Sequence, residues 1–167
     1  MRAIHLRALH PDEWAAYRAM RLRALETEPG VYCALHAEAA QRSEAQWRAT
    51  LAGPDRQLFG LFDADTLIGI SAVFVDADDP SGETAMLAQS FIERPIAGRG
   101  PARRLYEARL AWARAHPRVR RVTVSHRASN IASMRANQHY GFRRTGAVPR
   151  TWPDGVVEDE VRYELVL

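Results

Sequence analysis

The stretch AGRGPARR, Ala97 to Arg104, gathers two glycines, a proline and three arginines into eight residues. It follows an apolar run, Thr84–Glu93, and precedes ARRLYEARLAWARAH, where Leu105, Ala108, Leu110, Trp112 and Ala113 are spaced as one buried helix face. The chain must therefore make a strand, a tight glycine turn and a helix in immediate succession. The first peptide N–H groups of such a helix are unpaired and partly positive. Glycine lets the backbone come close to a ligand, so the turn forms a cradle for phosphate oxygens. Gly98 and Gly100 suit that use, and Pro101 suits the first helical position. Arg99, Arg103 and Arg104 can add charge-assisted hydrogen bonds. A dinucleotide fingerprint requires a small residue where Arg103 stands, and Gly-Lys-Ser/Thr is absent, so neither of those phosphate sites fits. A glycine turn that only caps a helix would read the same way.

The rest of the chain sets this unit among strands. Ile4–Ala8 reads as a first strand, and Pro11 opens a helix to Leu25 with Asp12 and Glu13 in its first turn. Residues 26–42 read as irregular. Ser43-Glu44-Ala45-Gln46 fits a capping box before a short helix that Gly53-Pro54-Asp55 ends. Gln57–Asp63 and Leu67–Asp76 form a hairpin around DADT, and a polar loop leads to the Thr84–Glu93 strand. After the long helix, which Pro117 stops, residues 121–126 alternate as a strand, and NIASMRANQHYGF is a short helix closed by Gly141. Phe142–Gly146 and Glu158–Leu167 close the chain as two strands. No repeat or low-complexity linker divides it, so 1–167 reads as one α/β (α+β) domain.

All 23 basic residues are arginine, and their placement is uneven. Between Arg94 and Arg150 stand 14 arginines and one acid, Glu107; the remaining residues hold 9 arginines and 19 acids. Such a split points to an anionic ligand on one side and a cationic one on the other. No apolar run is long enough to span a membrane, the N-terminus lacks a signal-peptide core, and Cys33 has no disulfide partner, so a cytoplasmic protein is expected. The six histidines are scattered, and no metal site is expected. Cys33 reads as an ordinary small side chain rather than a nucleophile.

Three segments carry a resemblance. Ala97-Gly98-Arg99-Gly100-Pro101-Ala102 is similar to the pattern Gln/Arg-x-x-Gly-x-Gly/Ala, with Ala97 in place of the leading residue. RASNIASMRANQHYGF supplies Asn130, Ser133, Gly141 and Phe142 at the positions of Asn-x-x-Ala/Ser and a closing Gly-Phe. YRAMRLRALETEPGVY, followed by Glu38 and Trp47, is similar to the N-terminal helices of one branch of the same family. The chain thus resembles the GCN5-related N-acetyltransferase (GNAT) superfamily over nearly its whole length. The resemblance implies a mixed, mostly antiparallel sheet of six to seven strands, flanked by about four helices and splayed between the fourth and fifth strands.

It also implies acetyl-CoA as co-substrate. The pantetheine arm would lie along the backbone of Ser90, Phe91 and Ile92, and the pyrophosphate on Gly98, Arg99, Gly100, Pro101, Ala102 and Arg103. Asn130 would bond the arm. The implied reaction is direct attack of a primary amine, of a small molecule or peptide, on the thioester. The family's usual Glu and Tyr are replaced by Ser125 and Asn137, so Asn137 is expected at the leaving sulfur and a carboxylate elsewhere, Glu38 or Glu93, at the proton. Tyr140 is expected in the core, and His126 on the strand face opposite Ser125. The acidic N-terminal half would suit a cationic amine. Relatives often form homodimers, though no stretch here marks an interface. Two other readings are a CoA-binding protein without transferase activity and an RNA- or ribosome-associated module. The second lacks the interleaved aromatics of a single-strand binder.

Overall fold

The computed structural model describes residues 3–93 and 100–167. Its strands are β1 (Ile4–Ala8), β2 (Arg56–Asp63), β3 (Thr66–Val75), β4 (Thr84–Ile92), β5 (Arg121–Arg127), β6 (Arg143–Thr151) and β7 (Val157–Val166). Its helices are α1 (Trp14–Thr27), α2 (His36–Ala40), α3 (Glu44–Thr50), α4 (Gly100–Ala115) and α5 (Ile131–His139). The strands form one sheet in the order β1-β2-β3-β4-β5-β7-β6. Every pairing is antiparallel except β4 with β5. The expected mixed sheet is present with seven strands, and the helices number five.

Local chemistry explains most boundaries. Ser43 Oγ accepts from the Gln46 N–H at 3.2 Å while Gln46 Oε1 accepts from the Ser43 N–H at 2.8 Å, which completes the capping box of α3. Gly141 holds a φ of +86°, the left-handed conformation that lets α5 end in a sharp turn. Two expectations shift. Residues 11–13 form a separate 3₁₀ turn, boxed by His10 and Glu13, and α1 begins only at Trp14. β6 runs on to Thr151 through Pro149 rather than stopping at Gly146, because it is the edge strand and an absent N–H is tolerated there.

Each face of the sheet carries its own core. On one, α1 and α3 bring Tyr17, Met20, Leu25 and Trp47 onto Leu58, Phe62, Ile70 and Phe91. On the other, α4 packs Tyr106, Leu110 and Ala113 against Val73, Leu87, Val122 and Tyr163. Full burial of a large apolar side chain contributes about 1.5–3 kcal/mol each, so both helix layers are held firmly. Tyr140 stacks on Tyr106 with ring centroids 4.0 Å apart, at the margin of the second cluster.

Candidate active site

The sheet is continuous between β4 and β5 for only three pairs, Thr84–Met86 with Arg121–Thr123. Beyond them β4 bends. Its register against β3 slips between Ile70 and Ala72, and Gln89 adopts a φ of +55°, a bulge that turns the strand away from β5. Tyr17 Oη steadies the bulge with a 2.5 Å bond to Gln89 Oε1, and Tyr32 Oη donates to the Ser90 carbonyl at 2.7 Å. A cleft of about 520 Å³ opens in the gap. Ser90 lines one wall, Ser129, Asn130 and Ser133 the other, and Glu28, Gly30 and Val31 border it from the α1–α2 connection.

Past the splay, β5 pairs with β7 in a register that sets Ser125 opposite Arg162 and Arg127 opposite Glu160. Directly opposed residues share a face, so these four side chains lie together. Glu160 is 6% exposed, and its carboxylate is fully engaged. Ser125 Oγ donates to Oε1 at 2.7 Å, and Arg150 Nε and Nη2 donate to Oε2 at 2.9 and 2.6 Å. Burial alone would raise the Glu160 pKa, but the bonds from Ser125 and Arg150 outweigh it and hold the carboxyl below its ordinary range. Sequence reasoning did not single out Glu160. Its signal was the alternation Glu158, Glu160, Arg162, Glu164 against Val161, Tyr163 and Leu165, a charged strand face.

Arg127 ties the rim of the cleft together. Its guanidinium donates to the Gly30 carbonyl at 3.1 Å, to Asp154 Oδ2 at 2.6 Å and to Glu158 Oε1 at 2.9 Å. Glu158 Oε2 in turn accepts from the Ser129 N–H. One side chain thus joins the α1–α2 connection, the β6–β7 turn and the start of α5.

The residues expected from sequence fall into three groups. Ser90 and Asn130 face each other across the cleft, while Phe91 and Ile92 pair with Ile70 and Gly69 of β3. Asn130 Oδ1 accepts from the Ser133 N–H at 3.1 Å and so caps α5. At the other end of the site, Gly98 and Arg99 lie outside the described residues. Gly100 opens α4, with nothing among the described residues within 4 Å of an added Cβ, and Pro101 follows it. Ala102 is exposed; Arg103 pairs with Glu107 at 2.6 Å, and Arg104 donates to the Ile4 carbonyl at 2.9 Å.

The third group is the proposed chemistry. Asn137 is 2% exposed; its Oδ1 accepts from Tyr106 Oη at 2.9 Å and its Nδ2 has no partner. Glu38 is exposed on α2 and is not among the cleft-lining residues, and Glu93 pairs with Arg23 at 3.0 Å. His126 lies on the face opposite Ser125, against Tyr163 Oη at 3.3 Å. Cys33 is exposed beside Arg150, Glu160 and Arg21; partial desolvation pushes its thiol up, which keeps it protonated.

Comparisons with known proteins agree with this geometry. Among solved structures, the chain is similar to a GNAT-family acetyltransferase from Streptococcus pneumoniae, with 18% identity and a TM-score of 0.83 over 99% of this chain and 100% of that one. It is similar to a Salmonella typhimurium acetyltransferase solved with its cofactor acetyl-CoA, at 17% identity and TM-score 0.80, covering 99% and 94%. A third, also from Salmonella typhimurium, modifies the N-terminal serine of ribosomal protein L7/L12; it shares 16% identity and a TM-score of 0.70 over 98% and 95%. No curated protein matches the sequence. The profile of the acetyltransferase (GNAT) domain matches residues 3–143, and the chain belongs to the GNAT acetyltransferase family.

Proposed function

We propose that this acetyltransferase moves the acetyl group of acetyl-CoA onto a primary amine of a small molecule or peptide, by direct attack in a ternary complex. The observation that carries the reading is the Glu160 carboxylate held at Ser125, on the strand face shared with Arg127 of the cleft rim. The cleft fits the cofactor. Its volume, about 520 Å³, lies within the roughly 300–1,000 Å³ of small-molecule sites. One edge of β4 at Ser90–Ile92 is not paired by β5, and no described residue fills the space beside Gly100 at the α4 N-terminus, which would take an anion.

Bound acetyl-CoA supplies an activated thioester. The chain's own residues orient and exchange protons. Backbone groups of Ser90, Phe91 and Ile92 would pair with the pantetheine amides, and the N–H groups of Gly98, Arg99, Gly100, Ala102 and Arg103 would hold the pyrophosphate, with Pro101 fixing the first turn and Arg99 and Arg103 adding charge. Asn130 keeps its Nδ2 for the pantetheine arm, since its Oδ1 is taken by the cap. Asn137 Nδ2, buried and unpartnered, is the donor assigned to the leaving sulfur. Ser125 would position the acceptor amine, its Oγ taking the amine proton as its own hydroxyl proton passes to Glu160. A carboxylate held low is a weak base. It suits an amine whose acidity rises as it is acylated, and it requires the acceptor to arrive neutral. Glu38, exposed on α2, is the other carboxylate that could take the proton. The reading carries a cytoplasmic setting, and among the described residues no helix is long and apolar enough to cross a membrane.

The test is acetyl-CoA binding by calorimetry, followed by turnover on an amine panel with wild type and Glu160→Gln. Turnover that falls in the variant supports the reading. Tight binding without turnover on any amine would replace it with a CoA-binding protein that is not a transferase.

A further inference from the structure

The buried stripe of α1 is Tyr17, Met20, Arg21, Ala24 and Leu25, the i, i+3, i+4, i+7, i+8 spacing of a core-facing helix. An arginine occupies its centre. Arg21 is 8% exposed, its Nη1 has no hydrogen-bond partner, and its guanidinium carbon lies 4.9 Å from the Tyr32 ring centroid. Tyr17, Tyr32, Arg42 and Cys33 act on its charge, and among the described residues no carboxylate lies within ion-pair distance of it; Glu28 reaches the same tyrosine, its Oε2 accepting from Tyr32 Oη at 3.3 Å. Arg42 likewise has no carboxylate partner among the described residues: its Nη2 donates to the Gln46 carbonyl and the Thr50 hydroxyl. Desolvation lowers the Arg21 pKa, as expected for a guanidinium with no counter-ion. A buried charge without a partner is strongly unfavourable, and natural chains keep one where something else supplies the opposite charge.

Its position says what that something is. Tyr32, which stacks on Arg21, also bonds the Ser90 carbonyl of the cleft wall. Arg127, which also lines the cleft, stands directly opposite Glu160 on one strand face. Arg21 and Glu160 therefore each lie one residue back from the cleft, the first cationic and without an ion pair among the described residues, the second anionic.

We propose that the acceptor is an amino acid or a close analogue, whose carboxylate pairs with Arg21 while its amine lies at Ser125 and Glu160. This deepens the reading given under Proposed function and rests on it for the identity of the reaction. The acidic N-terminal half, which by bulk charge suits a cation, carries at this point a bare cation of its own. A planar guanidinium matches a carboxylate bidentately.

The experiment compares L-phenylalanine, L-leucine and L-glutamate with their α-carboxamides as acetyl acceptors, in wild type, Arg21→Met and Arg21→Lys. A charged hydrogen-bond partner is expected to favour the acids in kcat/KM by about ten- to a hundredfold. In Arg21→Met the preference should vanish while Tm stays level or rises, because an apolar side chain replaces an uncompensated charge. Arg21→Lys should restore part of the preference. Calorimetric binding of N-acetyl-L-phenylalanine and its amide reads the same discrimination without turnover. Binding of the acid alone with no turnover would uphold the carboxylate site and overturn the transferase reading. Turnover of amides equal to that of acids, or equal binding of both products including none, overturns the carboxylate site whatever happens to the reaction.

Discussion

Ser125 Oγ reaches diagonally across two strands to donate a 2.7 Å hydrogen bond to Glu160 Oε1. The strand that bears Ser125 has no acid on that face, and the neighbouring strand supplies one. Replacing Glu160 by Gln keeps the shape and removes the proton acceptor. We expect kcat to fall by about 10²-fold, the lower end of general-base effects, with the KM for acetyl-CoA unchanged. Ser125→Ala should lower kcat less, since water can take the place of the hydroxyl. Steady-state kinetics on one amine acceptor decide both.

Opening the pyrophosphate cradle is testable because Gly100 has room. An added Cβ there meets nothing within 4 Å among the described residues, so Gly100→Glu should fold with an unchanged Tm. Wild type at acetyl-CoA a hundredfold above Kd gains about 2.7 kcal/mol. For a domain of this size the melting shift is roughly 5–10 °C. The glutamate sets a negative charge where the pyrophosphate must lie, and the shift should disappear.

Acid should weaken the rim of the site. Glu160 is held below its ordinary value of 4.5 by Ser125 and Arg150 against the pull of burial, Glu158 by Ser129 and Arg127, and Asp154 by Arg127 below 3.8. A carboxyl with a lowered folded-state pKa binds protons more readily when unfolded, so its contribution is complete above the unfolded value and is lost as pH falls through the folded one. Tm should hold from neutral pH to about 5 and drop below it. The drop should be shallower in Arg127→Met, which lacks the guanidinium that depresses two of the three. Differential scanning fluorimetry across that range gives the answer.

The rim also depends on a missing side chain. A Cβ on Gly30 would stand 2.5 Å from Arg127 Nη1 and 2.8 Å from Asp154 Oδ2. Gly30→Ala should therefore push Arg127 off the Gly30 carbonyl and expose the α1–α2 connection to protease. Limited proteolysis, run well below the Tm of each protein, should cut it faster in Gly30→Ala and in Arg127→Met than in wild type. Equal cutting would mean the connection is held by something else.

Local pattern revealed the strands and the long helices, because alternation and the α4 stripe are properties of neighbouring residues. It missed α2, whose His36–Ala40 segment has no apolar face, and it shortened β6, whose Pro149 reads as a stop unless the strand is known to be an edge. Ser90 and Asn130, picked out through the family resemblance, line one cleft. Glu160 was not, since its meeting with Ser125 depends on the register of β5 against β7, which 35 residues of chain separate. Arg21 was hidden differently: in a chain whose basic residues are all arginine, one more within a helix does not stand out until its surroundings are seen.

The two halves of the sheet pair through three residue pairs before they part, and the apolar cluster around Tyr106 packs across both. A molecule lying along that seam acts as a rivet, supplying between β4 and β5 the links that the backbone leaves unmade. Vacant copies should breathe along the seam and be the ones that proteases find, whereas riveted copies last. The amount of this protein in a cell would then rise and fall with the supply of its own cofactor, with no regulator required.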